Sequence, residues 1–246
     1  MQYESGDYPA ATETLAQALV LYSELRDRLG QMNTLLWTGT LEHVTGDYPA
    51  ATRSLTRALD LSSSLGNRLG EANALHYLGA VRCATGDHLA ATSDLIQALD
   101  LFRGLGDRQG EANALCYLGG VQFETGDYPA ATVSFTRALD ISRDVGDRQA
   151  QAQALTHLGR LSLASVGPKE ALVRFRDALR VASEPPSLLH QARALDGMGR
   201  CLARIGDTGA GTDHLGQALA LYQRLNVPEA AEVAKALGSL RAGQIP

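Results

Sequence analysis

The chain has 246 residues, of which 45% are apolar, 20% charged and only 5% aromatic, so it carries ample core material and is far from a disordered composition. A formal net charge of −5 and a pI near 5.7 exclude the basic excess that a nucleic-acid surface requires. No apolar run approaches the ~20 residues of a membrane span, and Met1–Asp7 lacks both the basic start and the apolar stretch of a signal peptide.

Cys83, Cys116 and Cys201 are odd in number and never spaced as CxxC, which suits a reducing compartment. A cytoplasmic protein is therefore expected, with no membrane partner and no direct nucleic-acid partner. Lys169 and Lys235 are the only lysines, and this preference for arginine resembles the coding bias of high-GC bacteria.

The first predicted element is a helix over residues 8–25, opened by Gly-Asp-Tyr-Pro-Ala-Ala-Thr at Gly6–Thr12. The same seven residues return at Gly46–Thr52 and Gly126–Thr132, and Gly-Asp-His-Leu-Ala-Ala-Thr stands at Gly86–Thr92. All four share one 40-residue register, which continues through a degenerate copy at Val166–Leu172 to Gly206 and Asp207. Within each unit two helices are predicted. The second is marked by Ala131, Phe135, Ala138, Leu139 and Ser142 on one face. Asp127 is placed to cap its start, Pro129 is tolerated in its first turn, and Gly146 ends it.

Asp27, Asn67, Asp107 and Asp147 are placed to cap the first helix of the following unit. That helix carries Leu75-x-x-Leu78-Gly79, Leu115-x-x-Leu118-Gly119, Leu155-x-x-Leu158-Gly159 and the softer Leu195-x-x-Met198-Gly199. Mid-helix glycine costs about 1 kcal/mol against alanine. Its return every 40 residues predicts close approach of the paired helix.

Leu-x-x-Leu-Gly followed by Ala131-x-x-x-Phe135 and Ala171-x-x-x-Phe175 resembles the tetratricopeptide repeat signature. The unit is longer than that family's usual 34 residues, and a Gly-Asp-Arg turn (Gly106–Arg108, Gly146–Arg148) replaces its terminal proline. This longer form is similar to arrays of Pins-like polarity adaptors and of actinobacterial signalling and transcription regulators. The resemblance implies an all-α, right-handed solenoid of antiparallel helix pairs in one array over 1–246. Its units are about 1–26, 27–66, 67–106, 107–146, 147–186 and 187–226, with a capping helix at 228–241.

The apolar face Leu15, Ala18, Leu19 and Tyr22 has no helix before it. This is expected either because the chain is a piece of a longer array or because that face forms a homodimer. Val166–Lys169 and Glu184–Ser187 replace the usual turn chemistry, and the superhelix is expected to bend or loosen there.

Catalytic signatures for phosphate loops, nucleophile elbows, zinc proteases and dinucleotide folds are missing from the sequence, so no enzyme activity and no cofactor are expected. Gly206–Gly211 reads as the repeat's own turn. His76 and Cys83 lie about 10 Å apart along one helix, too far to share a zinc ion, so no metal site is expected.

The family resemblance implies that first helices line the concave face. On them stand two columns in the 40-residue register: Asn33, Asn73, Asn113 and Gln153, then Trp37, Tyr77, Tyr117 and His157. An i, i+4 spacing puts each amide beside an aromatic ring, and together they are suited to grip the backbone and side chains of an extended peptide. His76 and Cys116 fall near the same face. Arg160, Arg193, Arg200 and Arg204 are expected to make the C-terminal half of the groove basic, relieved only by Asp196. The reading that follows is a non-catalytic scaffold holding a protein or peptide partner in a concave groove. An array that senses a small-molecule effector is the alternative.

Overall fold

The structure, a computed structural model, describes residues 8–243. Among them are twelve α-helices and no strand: α1 Tyr8–Glu24, α2 Arg28–Thr45, α3 Tyr48–Leu65, α4 Arg68–Ala84, α5 His88–Leu105, α6 Arg108–Glu124, α7 Tyr128–Asp144, α8 Arg148–Ser165, α9 Pro168–Ala182, α10 Leu188–Ile205, α11 Thr208–Leu225 and α12 Glu229–Arg241. Each packs chiefly on its chain neighbours, and alternate even-numbered helices also touch, which makes a right-handed solenoid of antiparallel pairs. Among the described residues no helix is long and apolar enough to cross a membrane. Gly6 and Asp7, which open the first copy of the repeated phrase, lie outside the described residues.

The turn chemistry acts as the sequence predicts. Asp47, Asp87, Asp127 and Asp207 each accept a hydrogen bond from the backbone N–H three residues on, and Asp27, Asn67, Asp107 and Asp147 do the same for the even-numbered helices. Gly46, Gly66, Gly106 and Gly206 end helices in the left-handed region, with φ between 63° and 100°.

The mid-helix glycines are contact points. A methyl group added at Gly79 would sit 2.6 Å from Cγ of Leu95, one at Gly119 2.7 Å from the Phe135 ring, and one at Gly159 2.8 Å from the Phe175 ring. Each odd-numbered helix thus lays a large side chain directly on the backbone of the helix before it. These side chains are the centre of the core: Leu55, Leu95, Phe135, Phe175 and Leu215 are all 0–1% exposed.

At the Glu184–Ser187 turn the packing register survives. Gln191 donates to the carbonyl of Ala182 across the Glu184–Ser187 turn, as Gln151 does to Ser142 and Gln31 to Tyr22 in regular joints. The main effect of the changed turns is a shorter α9.

The face of α1 is also better covered than the sequence suggests. Leu15, Ala18, Leu19 and Tyr22 are half-buried, and a methyl at Gly30 of α2 would lie 2.3 Å from the Tyr22 ring. The exposed apolar residues of α1 are instead Val20 and Leu21, at 57% and 58%, with Leu25 beyond its end at 74%.

The winding brings the two ends of the array together. Tyr8 and Ala11 of α1 and Leu41 of α2 join one apolar cluster with Leu195 of α10 and Val233, Ala236 and Leu237 of α12. A methyl at Gly46 would stand 3.2 Å from Cγ of Pro228, at the start of α12. The concave side is therefore the inner wall of a nearly closed turn of superhelix, a lumen where an open groove was expected.

Candidate functional site

The even-numbered helices carry the lumen wall. On α4, α6 and α8 the pairs Asn73 and Tyr77, Asn113 and Tyr117, and Gln153 and His157 are all half-buried, while Asn33 and Trp37 on α2 are exposed, the latter at 51%. The columns meet between repeats: the Tyr77 hydroxyl lies beside Thr40, and the Tyr117 hydroxyl beside Gln153. Burial raises both phenols, Tyr117 to about 12, so both stay neutral donors.

His76 and Cys116 do not face the lumen. At 4% and 0% exposure they belong to the core. Each precedes its lumen tyrosine by one residue, a rotation of about 100° around the helix, which turns it toward the neighbouring even-numbered helix. The His76 ring is held edge-on between Tyr77 and Tyr117, with centroids 4.7 and 5.0 Å away. Burial pushes the Cys116 thiol up to about 12, which leaves it unreactive. His157 stacks flat on Phe135, 4.9 Å away at 3°.

Three of the four arginines expected to make the C-terminal half of the lumen basic are paired with carboxylates, and Arg204 is exposed. Arg193 donates to Glu229 at 2.8 Å, Arg200 to Asp196 at 2.7 Å and Arg160 to Glu124 at 3.0 Å. Arg160 also lies over the Phe123 ring, 5.1 Å from its centroid. The expectation erred by treating Asp196 as the only acid. Glu229 and Glu124 come from adjacent even-numbered helices, each 36 residues from its arginine. That spacing is one repeat less one helical turn, a signal the sequence does contain.

Arg193 is the hub of the site. Its side chain is 34% exposed to the lumen, yet its charge acts on Tyr8, His43, Tyr48, Tyr117, His157, His190 and Tyr222. Burial works against its charge but is outweighed by Glu229, which keeps it protonated. His43, another residue that the columns alone did not reveal, brings its ring to 6.2 Å from Tyr117 and 6.1 Å from Tyr48.

The resulting wall offers neutral amides, phenol rings and paired arginines; the partner of Arg193, Glu229, has a buried oxygen without a hydrogen bond. Such a surface hydrogen-bonds and stacks. Among the described residues no three His, Cys, Asp or Glu side chains are placed to hold a metal ion.

Residues 70–144 match the tetratricopeptide repeat family model, and the same 40-residue register runs on at either side of the match. No curated protein matches the sequence. Among solved structures, BtubC (BKLC) from P. vanneervenii is similar over 89% of this chain and 91% of its own, at 16% identity and a TM-score of 0.63. A Rap protein complexed with Competence and Sporulation Factor is similar over 98% of this chain and 72% of its own, at 15% identity and a TM-score of 0.74. The Rap conjugation gene regulator of plasmid pLS20, in complex with the Phr* peptide, is similar over 87% of this chain and 59% of its own, at 18% identity and a TM-score of 0.73. At these identities the likeness is one of fold.

Proposed function

We propose, starting from the chain's membership of the tetratricopeptide repeat family, that it is a non-catalytic scaffold that binds an extended peptide or protein segment in its lumen. The observation that carries this reading is the repetition of an amide and a ring at i, i+4 on successive lumen helices, leading to Arg193. The amides of Asn73, Asn113 and Gln153 bond the backbone of the segment, Tyr77, Tyr117 and His157 pack its side chains, and Arg193 with Glu229 fixes its polarity. The two Rap structures with bound factor or peptide support a solenoid of this fold as a peptide site. The same likeness supports a bacterial, cytoplasmic setting in which the array is the sensor part of a signalling or transcription regulator.

Peptides selected from a random display library on the wild-type protein provide the test. Against them the double variant Asn73→Ala, Asn113→Ala is expected to lose about 1–3 kcal/mol of affinity, through missing hydrogen bonds and an unpaired partner backbone. Its melting temperature should be nearly unchanged, because both residues face the lumen. Full affinity in the double variant would refute the site.

Self-association is a separate proposal, and the residues that favour it are Val20, Leu21 and Leu25 of the exposed N-terminal ridge. Light scattering should show a dimer that Leu21→Glu with Leu25→Glu dissolves. A wild-type monomer at high concentration would contradict it.

A further inference from the structure

In three of the six joints between an odd-numbered helix and the even-numbered helix after it, a glutamine early in the even-numbered helix donates Nε2 to a carbonyl at the end of the helix before it: Gln31 to Tyr22, Gln151 to Ser142 and Gln191 to Ala182, at 3.0–3.1 Å. Glu71 and Glu111 occupy that position in α4 and α6, and a carboxylate has no N–H to give. Glu71 meets Arg68 at 3.7 Å.

Glu111 is only 3% exposed and gathers three arginines. Its Oε1 accepts from Nε of Arg103 at 3.1 Å, with Nη2 of Arg137 at 3.6 Å, and its Oε2 accepts from Arg108. One register step earlier, Arg103 and Arg137 are replaced by Ser63 and Gln97, and one step later Asp177 stands where Arg137 does. Relative to the preceding joint, two added arginines thus join Arg108, a position that is also arginine at Arg28, Arg68 and Arg148.

Three guanidiniums converge on this one carboxylate, which cannot occupy all of their N–H groups. Nearby Asp107 is engaged in capping the N–H of Gly110, and Asp140 lies beside Arg143 at 3.9 Å. Each guanidinium has five N–H groups and spends at most one or two on Glu111. The three side chains are 47–57% exposed, and between them lies a cavity of about 230 Å³ floored by Glu111. That is smaller than the ~300 Å³ of the least small-molecule pockets. A second groove of about 490 Å³, lined by Thr132, Val133, Thr136, Asp140 and Asp144, shares Arg108 and Arg137 with it.

We propose that this joint, on the side of the solenoid away from the lumen, binds a phosphate monoester. Arg103, Arg108 and Arg137 take the phosphate, Glu111 aims them, and the bearer of the phosphate lies along the adjoining groove. The dianion offers three acceptor oxygens to the N–H groups that Glu111 leaves free, and pairs of these oxygens match the planar guanidinium fork.

The test is calorimetric titration at low salt with three probes: inorganic phosphate, an end-capped tripeptide Ala-phosphothreonine-Ala, and the same tripeptide unphosphorylated. The wild type should bind a phosphorylated probe saturably and ignore the third. Tighter binding of the tripeptide than of inorganic phosphate would assign the site to phosphorylated side chains, and equal binding to small phosphates. Arg137→Gln and Arg103→Gln should each weaken binding about tenfold, the effect of losing one charge-assisted bond, with unchanged circular dichroism because both residues are exposed. Arg68→Gln, at the equivalent joint, should change nothing. Absence of saturable binding, or an equal loss in Arg68→Gln, would overturn the proposal.

Discussion

Replacing Phe175 by Ala is expected to destabilise the array by about 3–5 kcal/mol, the usual cost of removing a fully buried aromatic ring. Phe175 is 1% exposed on α9, and its ring is wedged between two helix backbones at once. A methyl at Gly159 of α8 would come within 2.8 Å of it, and one at Gly197 of α10 within 2.3 Å. The ring is thus the spacer that sets the distance between two successive lumen helices, and losing it unties the C-terminal units from the rest.

The reciprocal change carries the same information. Gly197→Ala should destabilise by about 1–3 kcal/mol through overpacking, although alanine improves helix propensity by about 1 kcal/mol. Combining it with Phe175→Leu should recover part of the loss, since the methyl then enters vacated space. Urea unfolding measures all three. A cost below about 1 kcal/mol for Phe175→Ala would mean that the joint relaxes around the gap, and the glycine–aromatic spacer would lose its assigned role.

The second large effect concerns acid. Burial is the leading cause that lowers His43 from 6.5 to about 4, His76 to about 3 and His190 to about 3, with Arg193 adding to the shift at His43 and His190 and His43 adding to it at His76. The folded values lie below the unfolded one, so it is the unfolded chain that takes up protons first. The stabilisation is complete above about pH 6.5 and is lost as the pH falls from there through 4 toward 3. At pH 5 each of the three costs on the order of 2 kcal/mol.

Carboxyl groups add smaller terms of both signs. Glu42, Asp94 and Asp196, raised chiefly by burial, oppose the trend, while Glu111, lowered by Arg103 and Arg108 against the effect of its burial, reinforces it. The urea midpoint is therefore expected to drop markedly between pH 7.5 and pH 5. His76→Leu should narrow the difference by about 2 kcal/mol, because a leucine has no proton to gain. Equal midpoints at the two pH values would show that these rings protonate freely in the folded protein.

The elements that strict repetition specifies were legible from the chain alone. Aspartate or asparagine at the caps, glycine in left-handed turns, and glycine opposite leucine or phenylalanine are local rules, repeated often enough to be unambiguous. The closure of the lumen was not legible. It depends on a small rotation per repeat summed over the whole array, and contacts such as Gly46 with Pro228 join segments with no pairing signal.

The inclusion of His76 and Cys116 in the wall came from reading a face too broadly, since i, i+3 and i, i+4 neighbours of Asn73 and Asn113 diverge by about 100°. The supposedly basic half came from reading charges along one helix when their partners sit on the next. Arg193 and Glu229 could have been matched by the 36-residue spacing that also pairs Arg160 with Glu124.

Whether the lumen is the binding surface is tested most directly by photocrosslinking from inside and outside the wall. A photoreactive benzoylphenylalanine replaces Asn113 in one variant and Thr136, on the outer face of α7, in another, and each is irradiated with a peptide selected on the wild type. Binding in the lumen predicts a crosslink from position 113 and none from position 136. Crosslinking from 136 alone would place the peptide on the convex side and contradict the account.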